Sequence, residues 1–458
     1  MKFTSILLIF LGFLTPIVGF SQIHLEGEVR ILMKEGLIDC SFELSNVPEI
    51  EAYNILLNKG MNIQFFQNTE KQVIPYSGYY NGRMRGEALA YTFIDENRQL
   101  ERMPKKFSIK YRGAFPVYED LLNSFDYKGM IAFNGKTLRA AEQSKWYPVI
   151  YDVAKDKLLD AYSYSIKVIC EDCAQVFING DVPSGARDHV FQSSVPRQPM
   201  LFAGEFPVLE NKGNYILNVN LEEDKANMIF KEIDKIKLFF AGKMQIPYNE
   251  KIFLISHKAV TPYKPDQTWG FAIFPTFAYS GVDFNALING GGKLEPSNLS
   301  FFAHELAHYY FDTKILSGPQ AWFWLESTAE YLALKAVEEF SPEFYQNRIK
   351  GYANFLSGKN YKALAKIKKR DEIDEDYRYV FGPLLLLVFE LEFGNSITFQ
   401  ILSELVKRSE LASISLDDFK EIALEKGVSL LEYSRFEEKF LNSSEALTHT
   451  VEKILSHE

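Results

Sequence analysis

The chain has 458 residues and a formal net charge of −10. Length implies two or three domains with ample core, and the acidic balance, without a basic stripe interleaved with aromatics, excludes nucleic acid as a natural partner. Three cysteines are too few for a disulfide scaffold.

In chain order, residues 1–21 read as a secretory signal. Lys2 is a short positive start, Ile6 to Phe13 an apolar core, and Gly19-Phe20-Ser21 a small-residue cleavage site. The apolar run is short and broken by Pro16, and no later segment is long enough to span a bilayer. The expected location is therefore secreted or periplasmic, with no transmembrane segment after cleavage. Residues 22–220 read as mainly β, with turn signals at Asn81-Gly82, Asn134-Gly135, Asn179-Gly180 and Asn211 to Gly213. Within this region, Tyr164 to Asn179 alternates like strands around a turn that carries Cys170-Glu171-Asp172-Cys173. A thioredoxin-type pair would open a helix and a zinc ribbon would need a second pair, so these two read as structural, able to bridge in an oxidising compartment. Cys40 is left over and expected to be buried.

From Leu221 the period turns helical, which places a domain boundary near 221, with 221–458 as the second domain. The densest signal of the chain follows: His304-Glu305-Leu306-Ala307-His308. Residues four apart share a helix face, so His304 and His308 aim two imidazoles at one spot. That suits two nitrogen ligands on one zinc ion, with Glu305 beside them to take the proton of a metal-bound water. Ser297-Asn298 is the expected cap, the run from Leu299 to Phe311 lacks Gly and Pro, and Gly318-Pro319 ends the segment. A catalytic zinc needs a third protein ligand and an open position. Glu326, within Trp324-Leu325-Glu326-Ser327-Thr328-Ala329-Glu330-Tyr331, is the candidate. Glu330, one turn later, reads either as an acceptor for a ligand histidine N–H or as a solvated helix carboxylate. Residues 395–458 read as helical, with Leu402, Leu405 and Val406 on one face.

These residues resemble the gluzincin aminopeptidases, the aminopeptidase N and leukotriene hydrolase group. That family pairs H-E-x-x-H with a downstream Glu inside W-L-x-E-G-x-A-x-Y. Here Trp324-Leu325-Glu326 and Ala329-x-Tyr331 echo it, with Ser327 in place of the Gly and one residue fewer between His308 and Glu326. Loops absorb such a deletion. The family's Y-x-x-G before an apolar helix is matched by Tyr379-Val380-Phe381-Gly382 and then Pro383 to Phe389. By resemblance, Tyr379 donates its phenolic O–H to the tetrahedral oxyanion. The family's G-x-M-E-N, whose Glu binds the substrate α-amine beside an edge strand, meets Gly281-Val282-Asp283-Phe284-Asn285. Gly281 agrees, but Phe284 replaces that Glu. Asp283 would substitute from a neighbouring position, although adjacent strand side chains face opposite sides.

The resemblance implies an α+β multidomain fold, an N-terminal β-sandwich-like domain followed by a thermolysin-like, mainly helical catalytic domain. It implies Zn2+ on His304, His308 and Glu326, Glu305 as base, Tyr379 as oxyanion donor, and a peptide or protein substrate. The chain ends before the large helical domain that roofs the family's site, so an open cleft is expected. Three readings follow: an aminopeptidase-like enzyme, a zinc endopeptidase, and a non-catalytic peptide-binding module that keeps the fold. Intact Glu305 and Tyr379 argue against the last. Nothing in the sequence fixes an oligomeric state.

Overall fold

A computed structural model describes residues 22–80, 87–118, 127–257, 269–311, 318–409 and 413–457. The expected signal at 1–21 and the Asn81-Gly82 turn lie outside the described residues. The architecture is multidomain α+β, with β structure up to Leu217 and, among the described residues after it, nine helices and three further strands.

Two sheets form the N-terminal sandwich. The first has the strand order Asp188–Arg197, Tyr162–Cys170, His24–Leu32, Leu37–Ser45, Phe107–Ala114, Met61–Gln67. Among its described strands the only parallel pair is His24–Leu32 with Tyr162–Cys170. Tyr162–Cys170 alternates buried and half-buried at every residue, as one face turned to a core requires. The second sheet runs Lys157–Leu159, Val149–Asp152, Tyr53–Asn58, Ala88–Phe93, Tyr76–Tyr79. Their inner faces meet through aromatic rings, with Phe66 of one sheet edge-on to Phe93 of the other at 5.1 Å.

The cysteine pair is not the tip of a hairpin. Cys170 ends a strand of the first sheet, while Gln175–Ile178 after it joins a third sheet with Leu201–Gly204, Thr137–Ala140 and Ala132–Phe133. A Cys170–Cys173 disulfide closes the corner between the two, and Cys40 is buried and free.

A fourth sheet has the order Val208–Asn211, Asn214–Leu217, Phe253–His257, Thr276–Ser280, Trp269–Ile273. Its three inner strands are parallel and both edges antiparallel. The third sheet packs on it through Phe177, Phe202, Phe253, Ile255 and Phe271. Asn179 ties the two together: its amide N–H donates to Phe274 O at 3.1 Å and its carbonyl accepts from Thr276 Oγ1 at 2.6 Å. Arg197 adds an ion pair to Glu250 at 2.6 Å.

The helices are α1 (Glu223–Met244), α2 (Pro296–Ala307), α3 (Thr328–Phe340), α4 (Pro342–Leu356), α5 (Gly382–Phe393), α6 (Asn395–Ser409), α7 (Leu416–Glu425), α8 (Leu430–Phe436) and α9 (Ala446–His457). The first eight residues of α5, Gly382 to Phe389, are all buried, which explains a helix apolar on every side. α5 is locked to α3 by Glu390, whose carboxylate accepts from Tyr331 at 2.5 Å and Lys335 at 2.8 Å. Among the described residues no helix is long and apolar enough to cross a membrane.

Candidate metal centre

α2 starts one turn earlier than the sequence suggests. Pro296 occupies its first position, where the missing N–H costs nothing, and Glu295 rather than Ser297-Asn298 stands at the N-cap. Leu299, Phe302, Ala303 and Leu306 bury one face. The helix stops at Ala307, short of Phe311, and His308 is its C-cap residue in helical conformation. The turn beyond is pinned from outside, with Tyr309 and Tyr310 donating to Pro247 O at 3.0 Å and Ile246 O at 3.1 Å.

The two imidazoles lie 5.0 Å apart, nearly perpendicular. Glu326 reaches both, its Oε2 standing 3.4 Å from His304 Nε2 and 3.6 Å from His308 Nε2. One ligand atom of each residue falls within 4.8 Å of the others. The far ring nitrogens are held from behind. His304 Nδ1 meets Glu330 Oε2 at 3.0 Å, and His308 Nδ1 meets Phe311 O at 2.9 Å. With those nitrogens protonated, both Nε2 lone pairs face Glu326. Two imidazole nitrogens and one carboxylate oxygen, with outer partners fixing the tautomers, fit a catalytic zinc.

Charge supports the same fit. Burial works against a charged His304, but the hydrogen bonds its ring donates to Glu326 and Glu330 outweigh it and push its pKa up to about 10. Burial raises Glu326, yet the neighbouring His304 and His308 bring it down to about 2. The spot therefore favours a positive charge. Glu305 is different: burial raises its pKa, and the histidines only partly offset this. A carboxylate with a raised pKa is a better proton acceptor.

Glu326 and Tyr379 both sit in π-helical turns, Phe323–Ser327 and Tyr377–Phe381. Such turns re-aim side chains and occur at functional sites. The Tyr379 ring is 5.6 Å from that of His304. Burial first, then the charge of Glu326, pushes its phenol pKa far up, so it stays a donor. The two turns are joined by a bond the sequence does not advertise. Gly382 N–H reaches back to Tyr377 O, and the next N–H in that pattern would belong to Pro383, which has none. Arg378 O is thus left to accept from Ser327 Oγ at 2.8 Å. Ser327, where the resembled family has Gly, has a partner of its own.

The segment 281–285 corrects an expectation. The strand ends at Ser280 and Gly281 turns the chain with φ +76°, so side-chain alternation does not apply beyond it. Asp283 is exposed and caps a short turn, accepting from Asn285 N–H at 2.9 Å, while Phe284 is buried in the core. Phe284 offers no carboxylate, and Asp283 keeps its second oxygen exposed beside the turn it caps.

Sequence reading missed two groups here. Arg348 and Tyr352, on α4, donate to Glu330 Oε1 at 2.9 and 2.8 Å. Their spacing of four was the only hint. The second group comes from the β-rich part. Lys128 donates to Ala272 O on the edge strand at 3.4 Å, pairs with Glu142 at 2.7 Å, and its charge bears on Glu305.

Comparison of folds gives a definite answer. The chain has the fold of leukotriene A4 hydrolase. A structure of native yeast LTA4 hydrolase superposes with TM-score 0.61 at 12% identity, over 91% of this chain and 67% of that one. Leukotriene A4 hydrolase from Saccharomyces cerevisiae gives 0.64 at 12% identity, over 92% and 68%. The yeast enzyme in complex with bestatin gives 0.60 at 11% identity, over 91% and 67%. This chain thus spans about two thirds of their length. No protein-family model matches the sequence, and no curated protein does.

Proposed function

We propose that this chain is a secreted zinc-dependent peptidase with aminopeptidase-like action. The observation that carries the reading is the convergence of His304, His308 and Glu326 on one point, with Glu305 beside it. Those three would hold the zinc ion, which when bound supplies Lewis acidity toward a carbonyl oxygen and a water. Glu305 accepts the proton of the attacking water and passes it to the leaving amine. Tyr379 donates its O–H to the oxyanion that forms at the scissile carbonyl. Glu330 keeps the His304 ring in the tautomer that offers Nε2. The Cys170–Cys173 disulfide and the signal-like residues 1–21 support an oxidising location.

Aminopeptidase action needs a carboxylate for the substrate ammonium. Asp283, exposed and capping a turn through one oxygen, is one candidate; Glu142 is another: it is buried, Lys128 holds one oxygen, and Oε2 has no partner among the described residues. The second reading, an endopeptidase, is favoured by Phe284, an apolar core residue where the resembled family carries its amine-binding Glu. The test measures zinc content together with hydrolysis of a peptide and its N-acetylated twin. One zinc per chain and faster cleavage of the free peptide are expected. Equal cleavage of the twins moves the assignment to endopeptidase, and a metal-free, inactive protein refutes both.

A further inference from the structure

We propose that Arg348 and Tyr352 are positioning residues for the metal centre and act through Glu330. This inference rests on the zinc reading above. Glu330 is buried on α3, so its carboxylate orientation is set by protein groups. Its two oxygens have separate tasks. Oε2 faces His304 Nδ1 at 3.0 Å. Oε1 accepts from Arg348 Nη2 at 2.9 Å and from Tyr352 OH at 2.8 Å. Arg348 Nε donates in turn to the Tyr352 oxygen at 2.8 Å, so the pair is braced within itself. A planar carboxylate pointing at an imidazole keeps one torsion free, rotation about its last bond. Two donors converging on Oε1 remove that freedom and keep Oε2 on His304.

The geometry separates this from a simple ion pair between helices. Arg348 and Tyr352 lie four apart on one face of α4, and both end on the same oxygen atom. An arginine that only neutralised Glu330 would have no need of a phenol on that atom. With the clamp gone, the carboxylate can turn, the His304 ring follows, and Nε2 swings off the point it shares with His308 and Glu326. Outer partners of metal ligands are worth about 10–100-fold in metal affinity. One step further out, a loss of about tenfold is expected.

The experiment measures zinc dissociation constants by competition with a chromophoric chelator, alongside melting of the metal-free protein. The variants are Arg348→Met, Tyr352→Phe, Arg348→Lys and Glu330→Gln. Arg348→Met and Tyr352→Phe should each weaken zinc by about tenfold, and Arg348→Lys should recover part of the loss. In a Glu330→Gln background, Arg348→Met should cost less than about twofold more, because the route through the carboxylate is already cut. A merely structural ion pair would lower the melting temperature of the metal-free protein and leave zinc affinity unchanged. That result, or a full tenfold loss in the Glu330→Gln background, overturns the proposal. Should Arg348→Met not fold, Tyr352→Phe, which removes a single oxygen, decides alone. A wild-type protein that binds no zinc refutes the peptidase reading itself, and this inference falls with it.

Discussion

Gly382→Ala tests the junction between the two π turns. Gly382 has ordinary helical angles, φ −57° and ψ −48°, so alanine suits its backbone and would add about 0.5–1 kcal/mol of helix preference. The obstacle is Ser327. A Cβ at position 382 would run into Ser327 Oγ, lie 2.6 Å from Ser327 Cβ and 3.0 Å from Tyr377 O. Ser327 cannot turn away without breaking its bond to Arg378 O. Overpacking of this kind costs about 1–3 kcal/mol, so the net effect should be a loss of about 1–2 kcal/mol. In a Ser327→Gly background the contacts with Ser327 vanish and only Tyr377 O at 3.0 Å remains, so the same substitution should fall within about 0.5 kcal/mol of neutral. Urea melts of the four proteins in the cycle measure the coupling. Additivity within about 0.5 kcal/mol would refute the claim that Ser327 and Gly382 are in contact.

Four further outcomes are expected. Glu305→Gln should keep its zinc and lose hydrolysis by at least about 100-fold, and a variant that loses both would make Glu305 structural. Tyr379→Phe should lower kcat by about 100-fold or more with little change in KM, and an unchanged kcat returns this residue to packing. Glu326→Ala should lose zinc far more completely than Glu330→Ala, since only Glu326 stands between both Nε2 atoms; titration with a chelator would reveal the reverse order. Glu142→Gln should slow cleavage of free peptides and spare their acetylated twins, and equal slowing of both removes Glu142 from amine recognition.

The candidate ligand set is legible because a helix converts spacing directly into geometry: His304 and His308 are neighbours by periodicity alone, and Trp324-Leu325-Glu326 marks the carboxylate that meets them. What escaped were features set by groups distant in sequence. The π turns depend on where Pro383 withholds an N–H and on Ser327 supplying a donor from another segment. Asp283 could not be recognised as a cap while residues 281–285 were read as strand. Helix α2 took Glu295 and Pro296 as its start because proline's fixed φ outweighed the polar Ser297-Asn298. Arg348 and Tyr352 carry no motif, and only the packing of α4 on α3 reveals what they touch.

The change of period near 221 and the edge of the fourth sheet do not coincide. Val208–Asn211 and Asn214–Leu217 belong to the sheet that also holds Phe253–His257. A fragment expressed from residue 221 would strip two strands from that sheet and bare the edge of Phe253–His257, along with the faces of Phe253, Ile255 and Phe271 that the third sheet covers. An open, apolar strand edge recruits other chains. Anyone isolating the candidate metal centre as a smaller protein should therefore carry the β-rich part with it, because the two share one uninterrupted wall.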